Sequence, residues 1–152
     1  MKEKIFYIKV ENNNEIYVLT NTISKINISW KRYIEELCIE NLSTLDGRIK
    51  AVKRKYGWIK HTPIYVNNDL VLFYINALKD NNNYFINVKN IVNIEGNDKS
   101  TYITFVNNEK IVLNVAYRKI KSYYKKAIIL LNKLWYIHFT CKKTIYEVEY
   151  IR

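Results

Sequence analysis

Apolar and polar positions change period several times along the chain, and each change marks an element. "KIFYIKV" and "EIYVLTN" alternate as strands do, and the intervening "ENNN" predicts a hairpin. The period then lengthens. Trp30, Tyr33, Ile34, Leu37, Cys38 and Leu42 fall at i, i+3, i+4 and i+7 spacings behind Ser29, a residue suited to the N-cap, so an amphipathic helix is expected over 30–42. After "STLDG", Ile49, Val52 and Tyr56 line one face of a second helix over 46–56. Gly57 can close that helix in the left-handed conformation.

From Pro63 the alternation returns. "PIYV", "LVLFYI", "YFINV", "IVNIE", "TYITFV" and "KIVLNV" are separated by "NND", "DNNN", "GNDKS" and "NNE". Asn tolerates the positive φ of tight turns, so Asn107-Asn108 fits a hairpin turn and the series reads as an antiparallel meander. A helix over about 117–136 closes the pattern. Ile120, Tyr124, Ala127, Ile128, Leu131, Leu134 and Trp135 share its apolar face, while Arg118, Lys121, Lys125, Lys126 and Lys133 share the other. Ile129 sits within that basic face. The expected fold is α+β, an antiparallel β-meander sheet with two short helices and a long basic C-terminal helix. No linker, repeat or low-complexity segment divides the 152 residues, so one domain spanning 1–152 is expected.

Charge adds a functional constraint. The net charge of +11 favours a polyanionic partner. A bias toward A·T-rich codons would also enrich Lys, Asn, Ile and Tyr, and Lys outnumbers Arg 20 to 5, so the total alone decides little. Placement decides more, because 15 of the 25 cations lie in two windows, 47–68 and 110–146, that contain no acid. Codon bias does not explain why acids avoid them. Arg48, Lys50, Lys53, Arg54, Lys55, Lys60 and His61 in the first window, with Arg118, Lys121, Lys125 and Lys126 in the second, are the expected phosphate contacts to such a polyanion. The competing reading is a pair of solvated helix faces.

Catalytic chemistry finds little footing. Gly47, Gly57 and Gly96 are isolated, so no phosphate loop or dinucleotide fingerprint exists. Glu35, Glu36 and Glu40 read as the solvent face of the first helix. His61 reads as a loop histidine near phosphate rather than a general base, and no acidic cluster suits Mg²⁺. Cys38 and Cys141 have neither CxxC spacing nor a His pair and read as reduced thiols. No stretch is long and apolar enough for a membrane span, so a cytoplasmic protein without metal, cofactor or enzymatic activity is expected.

A Cys-bearing helix, Gly47-Arg48, a basic run into Pro63-Ile64, a strand with Phe73, then "FVNNEKIVLNVAY" and a basic helix resemble the competence transcription factor family, ComK, over roughly residues 30 to 135. The chain departs from the family pattern at Asn83-Tyr84-Phe85-Ile86, at Asn107-Asn108, and at Tyr123 and Lys126. The resemblance implies a regulator that binds paired A·T-rich boxes of double-stranded DNA, largely through the minor groove, with more than one subunit on the site. It also implies transcription and proteolytic-adaptor partners. Physical reasoning adds Arg48 or Arg54 as groove readers, since guanidinium groups suit narrow A·T minor grooves, and Ile129 as a subunit contact. Two alternatives stand beside this reading. "NIVNIEG" with "STYITFVNNEKIVL" is similar to the LytTR type of β-rich DNA-binding domain, and strands followed by a helix would also serve a PH-like membrane-surface or protein-interaction module.

Overall fold

The computed structural model describes residues 4–12 and 15–142, with side chains through residue 132. The N-terminal hairpin is β1 (Tyr7–Asn12) and β2 (Glu15–Leu19), extended by β3 (Ile23–Ile26). Helices α1 (Trp30–Glu40) and α2 (Leu45–Tyr56) follow. Then come β4 (Ile64–Asn67), β5 (Leu70–Tyr74), β6 (Asn83–Asn87), a 3₁₀ turn at Val88–Asn90, β7 (Ile91–Gly96), β8 (Thr101–Phe105), β9 (Lys110–Leu113) and α3 (Tyr117–Lys142).

The strands form two antiparallel sheets. One has six strands in the order β3-β2-β1-β6-β5-β4, and the other has three, β7-β8-β9. Two local meanders are joined where β1 pairs β6, with Tyr7 opposite Ile86 and Ile8 opposite Phe85. Strand alternation sends side chains to two separate cores. Ile8, Val10, Ile64, Leu72 and Phe85 pack with Ile34 and Cys38 of α1 and Leu45 of α2. Val71, Phe73 and Ile86 point the other way, toward Ile103, Phe105 and Leu113 of the smaller sheet and Ile120, Ala127 and Leu130 of α3. Helix α2 joins both cores, since Leu45 enters the first and Val52 the second.

Two asparagines of β6 fasten the ends of neighbouring strands and their connections. Asn87, 1% exposed, donates through Nδ2 to the carbonyls of Ile5 and Asp69, both at 2.8 Å, and accepts from the N–H of Val71 and of Lys89, both at 3.2 Å. Asn83 does the same for the β5–β6 connection, accepting from the N–H of Asn76 at 2.9 Å and donating to its carbonyl at 3.1 Å. Loop backbone that would otherwise be buried unpaired is thereby satisfied.

The caps explain the helix limits. Ser29 Oγ accepts from Arg32 N at 3.2 Å, and Thr44 Oγ1 accepts from Gly47 N at 3.0 Å. Glu35 is not simply solvent-facing, because its Oε2 accepts from Leu45 N at 2.8 Å and so ties α1 to the start of α2. Leu42, expected on the apolar face of α1, lies beyond the helix end at φ 59° and is 97% exposed. There it takes the left-handed residue of the C-terminal cap, with Ser43 N donating to Cys38 O. At the other two turns the expected residues serve: Gly57 has φ 72° and Asn108 φ 70°. The apolar face of α3 is rotated from the expected one, because Leu130 is buried while Ile128 and Leu131 are half-buried. Lys133, Leu134, Trp135 and Cys141 lie outside the described side chains.

Candidate nucleic-acid interface

Helix α2 turns Leu45, Ile49, Val52 and Tyr56 inward, which leaves its cations on the flanks and the outer face. Lys53, Arg54 and Lys55 occupy the last turn and are exposed, where they also complement the negative end of the helix dipole. Lys50 is partly neutralised by Asp46 one turn earlier, 3.0 Å away. Arg48 departs from the others. Its guanidinium lies over the Tyr65 ring, 4.7 Å from the centroid, and its Nε is buried without a hydrogen-bond partner.

The segment between α2 and β4 is held at nearly every residue. Trp58 stacks on Tyr56 with ring centroids 4.5 Å apart, and its carbonyl accepts from the buried Thr62 hydroxyl at 2.9 Å. Lys126 of α3 donates through Nζ to the Lys60 carbonyl at 2.8 Å. His61, at φ 50°, stacks on Tyr123 at 4.0 Å and on Tyr74 at 5.3 Å. Its Nδ1 lies 3.1 Å from the Tyr74 carbonyl. A carbonyl only accepts, so Nδ1 carries the proton.

Lys119, Tyr123, Lys126 and Leu130 form one stripe of α3 at spacings of four, three and four residues, and this stripe faces the segment and α2. Leu130 lines a small cleft together with Arg48, Ala51, Val52, Lys55, Tyr56 and Tyr65, while α3 packs chiefly against β5. Arg118, Lys121 and Lys125 lie exposed on the outer side of α3, as does Ile129 at 44% exposure. The two acid-free windows therefore meet in space. Among the described residues, no carboxylate comes within ion-pairing distance of Lys53, Arg54, Lys55, Lys60, Arg118, Lys119, Lys121, Lys125 or Lys126. Away from this surface, on the N-terminal strands, Lys9 pairs with Glu11 and Lys25 with Glu15.

His61 registers the crowding. Its pKa is pushed below the usual histidine value first by burial, then by the positive charges of Lys126, Lys119 and Lys60, while the Tyr74 carbonyl pulls the other way. Three cations from two segments therefore lie near one imidazole. His61 is thus a neutral brace within the surface, with one face covered by Tyr123.

Sequence reading placed most of these cations correctly on outer faces but missed three features. Lys119 was passed over because it flanks the apolar face. The Tyr123 stack on His61 has no local signature. Ile59, 82% exposed between Trp58 and Lys60, carried no periodic signal. Cys38 is a free, buried thiol whose pKa is raised by burial, and among the described residues no three His, Cys, Asp or Glu side chains gather to hold a metal. No described helix is long and apolar enough to cross a membrane. A family model described as ComK protein matches residues 2–135. No curated protein and no solved structure matches the chain.

Proposed function

The chain belongs to the ComK family, and on that premise we propose that it is a sequence-selective DNA-binding transcriptional regulator whose α2–α3 surface grips A·T-rich duplex DNA. The observation that carries this reading is the meeting of the two acid-free windows at the Lys60–Lys126 contact. Lys53, Lys55, Lys60, Lys119, Lys125 and Lys126 hold phosphates, and each contact gains from release of condensed counterions. This is a binding surface, and no catalytic role is assigned to it.

Selectivity falls to Arg54. Of the two candidate groove readers it is the exposed one, whereas Arg48 is folded onto Tyr65 and serves the α2–β4 packing. A guanidinium entering a narrow minor groove meets its enhanced negative potential. Ile129 supplies a contact between subunits bound to paired boxes, since it stands exposed among cations that repel one another less once phosphates screen them.

Anisotropy titrations of labelled A·T-rich and G·C-rich duplexes at several salt concentrations test the proposal. Tighter, salt-dependent binding to the A·T-rich duplex is expected. Equal affinities would remove the groove reading, and no binding to either duplex at low salt would remove the DNA function.

A further inference from the structure

We infer that Ile59 is a wedge that presses against a base step when the α2–α3 surface engages DNA, an inference that rests on the DNA-binding reading above. Single exposed apolar residues are common and need no function. Ile59 differs in its setting. It is 82% exposed within a segment otherwise held in place: Trp58 by the Tyr56 ring and the Thr62 hydroxyl, Lys60 by Lys126, and His61 by Tyr123 and Tyr74. Gly57 and His61, both at positive φ, bracket this stretch, so its backbone path is set on either side of Ile59.

A wedge needs such backing, because unstacking bases costs free energy that a yielding loop would lose by bending away. Leu42 is more exposed still, but it follows Glu40 and Asn41, outside both acid-free windows. Ile59 precedes Lys60, and the field felt at His61 comes from Lys126, Lys119 and Lys60. Cations that grip the phosphates on either side of a step would bring this side chain to the groove floor between them. A·T-rich DNA offers the easily unstacked TA steps at which apolar side chains insert most cheaply.

A lipid surface is the competing occupant and is less well served. Trp58, the side chain best suited to a membrane interface, is turned back onto Tyr56. One isoleucine alone buries too little apolar area for stable anchoring.

The test uses the full chain and an A·T-rich duplex carrying 2-aminopurine beside a TA step. Wild-type protein should bind with a rise in 2-aminopurine fluorescence, which reports unstacking. Ile59→Ala should melt like wild type, bind roughly tenfold more weakly with an unchanged salt slope, and lose the fluorescence rise. Ile59→Leu should restore most of both. If the wild type binds with the expected salt dependence and Ile59→Ala matches it in affinity and fluorescence, the wedge is overturned and the DNA reading stands. If the wild type binds no duplex, both fall. If Ile59→Ala loses binding to phosphatidylglycerol vesicles while keeping the duplex, the residue serves a lipid surface and the wedge is likewise overturned.

Discussion

Replacing Lys60 or Lys119 by Gln separates a local phosphate grip from the mere excess of positive charge. Both residues are exposed, and neither side chain makes a hydrogen bond or ion pair among the described residues, so stability should move by less than about 0.5 kcal/mol. Each contact to B-DNA contributes about 0.9 to the slope of log K against log salt. If a single contact is worth nothing near 1 M salt, its loss weakens binding about fifteenfold at 50 mM and about fourfold at 200 mM. The double variant should lower the slope by about 1.8. Lys25→Gln is the control, because Lys25 pairs with Glu15 at 3.7 Å on the N-terminal meander and its removal changes net charge by the same single unit. Beyond a Debye length of about 10 Å at 0.1 M salt, that distant change should be screened. Anisotropy titrations from 50 to 400 mM salt provide the assay. Equal slope reductions in Lys25→Gln and Lys119→Gln would refute the reasoning, since the protein would then act through bulk charge.

Three further outcomes follow from the structure. Because the His61 pKa is depressed in the fold, the unfolded chain binds more protons just below the usual value, so stability is full above about pH 6.5 and falls as pH drops toward the lowered value. Urea midpoints between pH 8 and 5 should show that fall, and it should flatten in His61→Asn, which tolerates the positive φ; an equally steep fall in the variant would count against His61. Asn87→Ala removes four hydrogen bonds and leaves buried backbone groups unpaired, so it should cost about 3 to 5 kcal/mol by urea denaturation, and a loss under about 1 kcal/mol would contradict the fastening role. Ile129→Glu should preserve folding yet turn cooperative binding at two boxes into independent binding, and retained cooperativity would dismiss the subunit contact.

What the sequence revealed depended on how local each signal was. Ser29, Gly57 and Asn108 act within four residues of themselves, and all three occupy the positions their chemistry suggests. The division into two sheets rests on β1 pairing with β6, a contact between segments far apart that no local period encodes. The family match extends to residue 2, in keeping with β1 and β2 belonging to the main sheet rather than standing as an appended hairpin. β3 was missed because an edge strand with Ile23, Ser24 and Lys25 all exposed shows no alternation. In "AIILL" several helix phases are almost equally apolar, and burial of Leu130 in the core with Val71 and Phe73 selects among them. Family membership likewise favours the ComK resemblance over the LytTR likeness of "NIVNIEG" and "STYITFVNNEKIVL".

The candidate surface was legible for the same reason in reverse. Absence of acids is a one-dimensional property, visible without structure. Whether the two windows meet is not, because that depends on α3 crossing beside the segment after α2. Nor can composition tell that the Arg48 guanidinium is folded onto Tyr65 while Arg54 stays exposed. His61 reads in sequence as a loop histidine near phosphate, and its stack with Tyr123 has no local sequence signature.

Lysine acetylation footprinting of the full chain, with and without A·T-rich duplex and read by mass spectrometry, tests most directly whether the two windows act as one DNA-binding surface. Lys53, Lys55, Lys60, Lys119 and Lys125 should become protected together, while Lys9 and Lys25, outside both windows, remain as reactive as in the free protein. Protection confined to one window, or spread evenly over all of these lysines, would contradict the account.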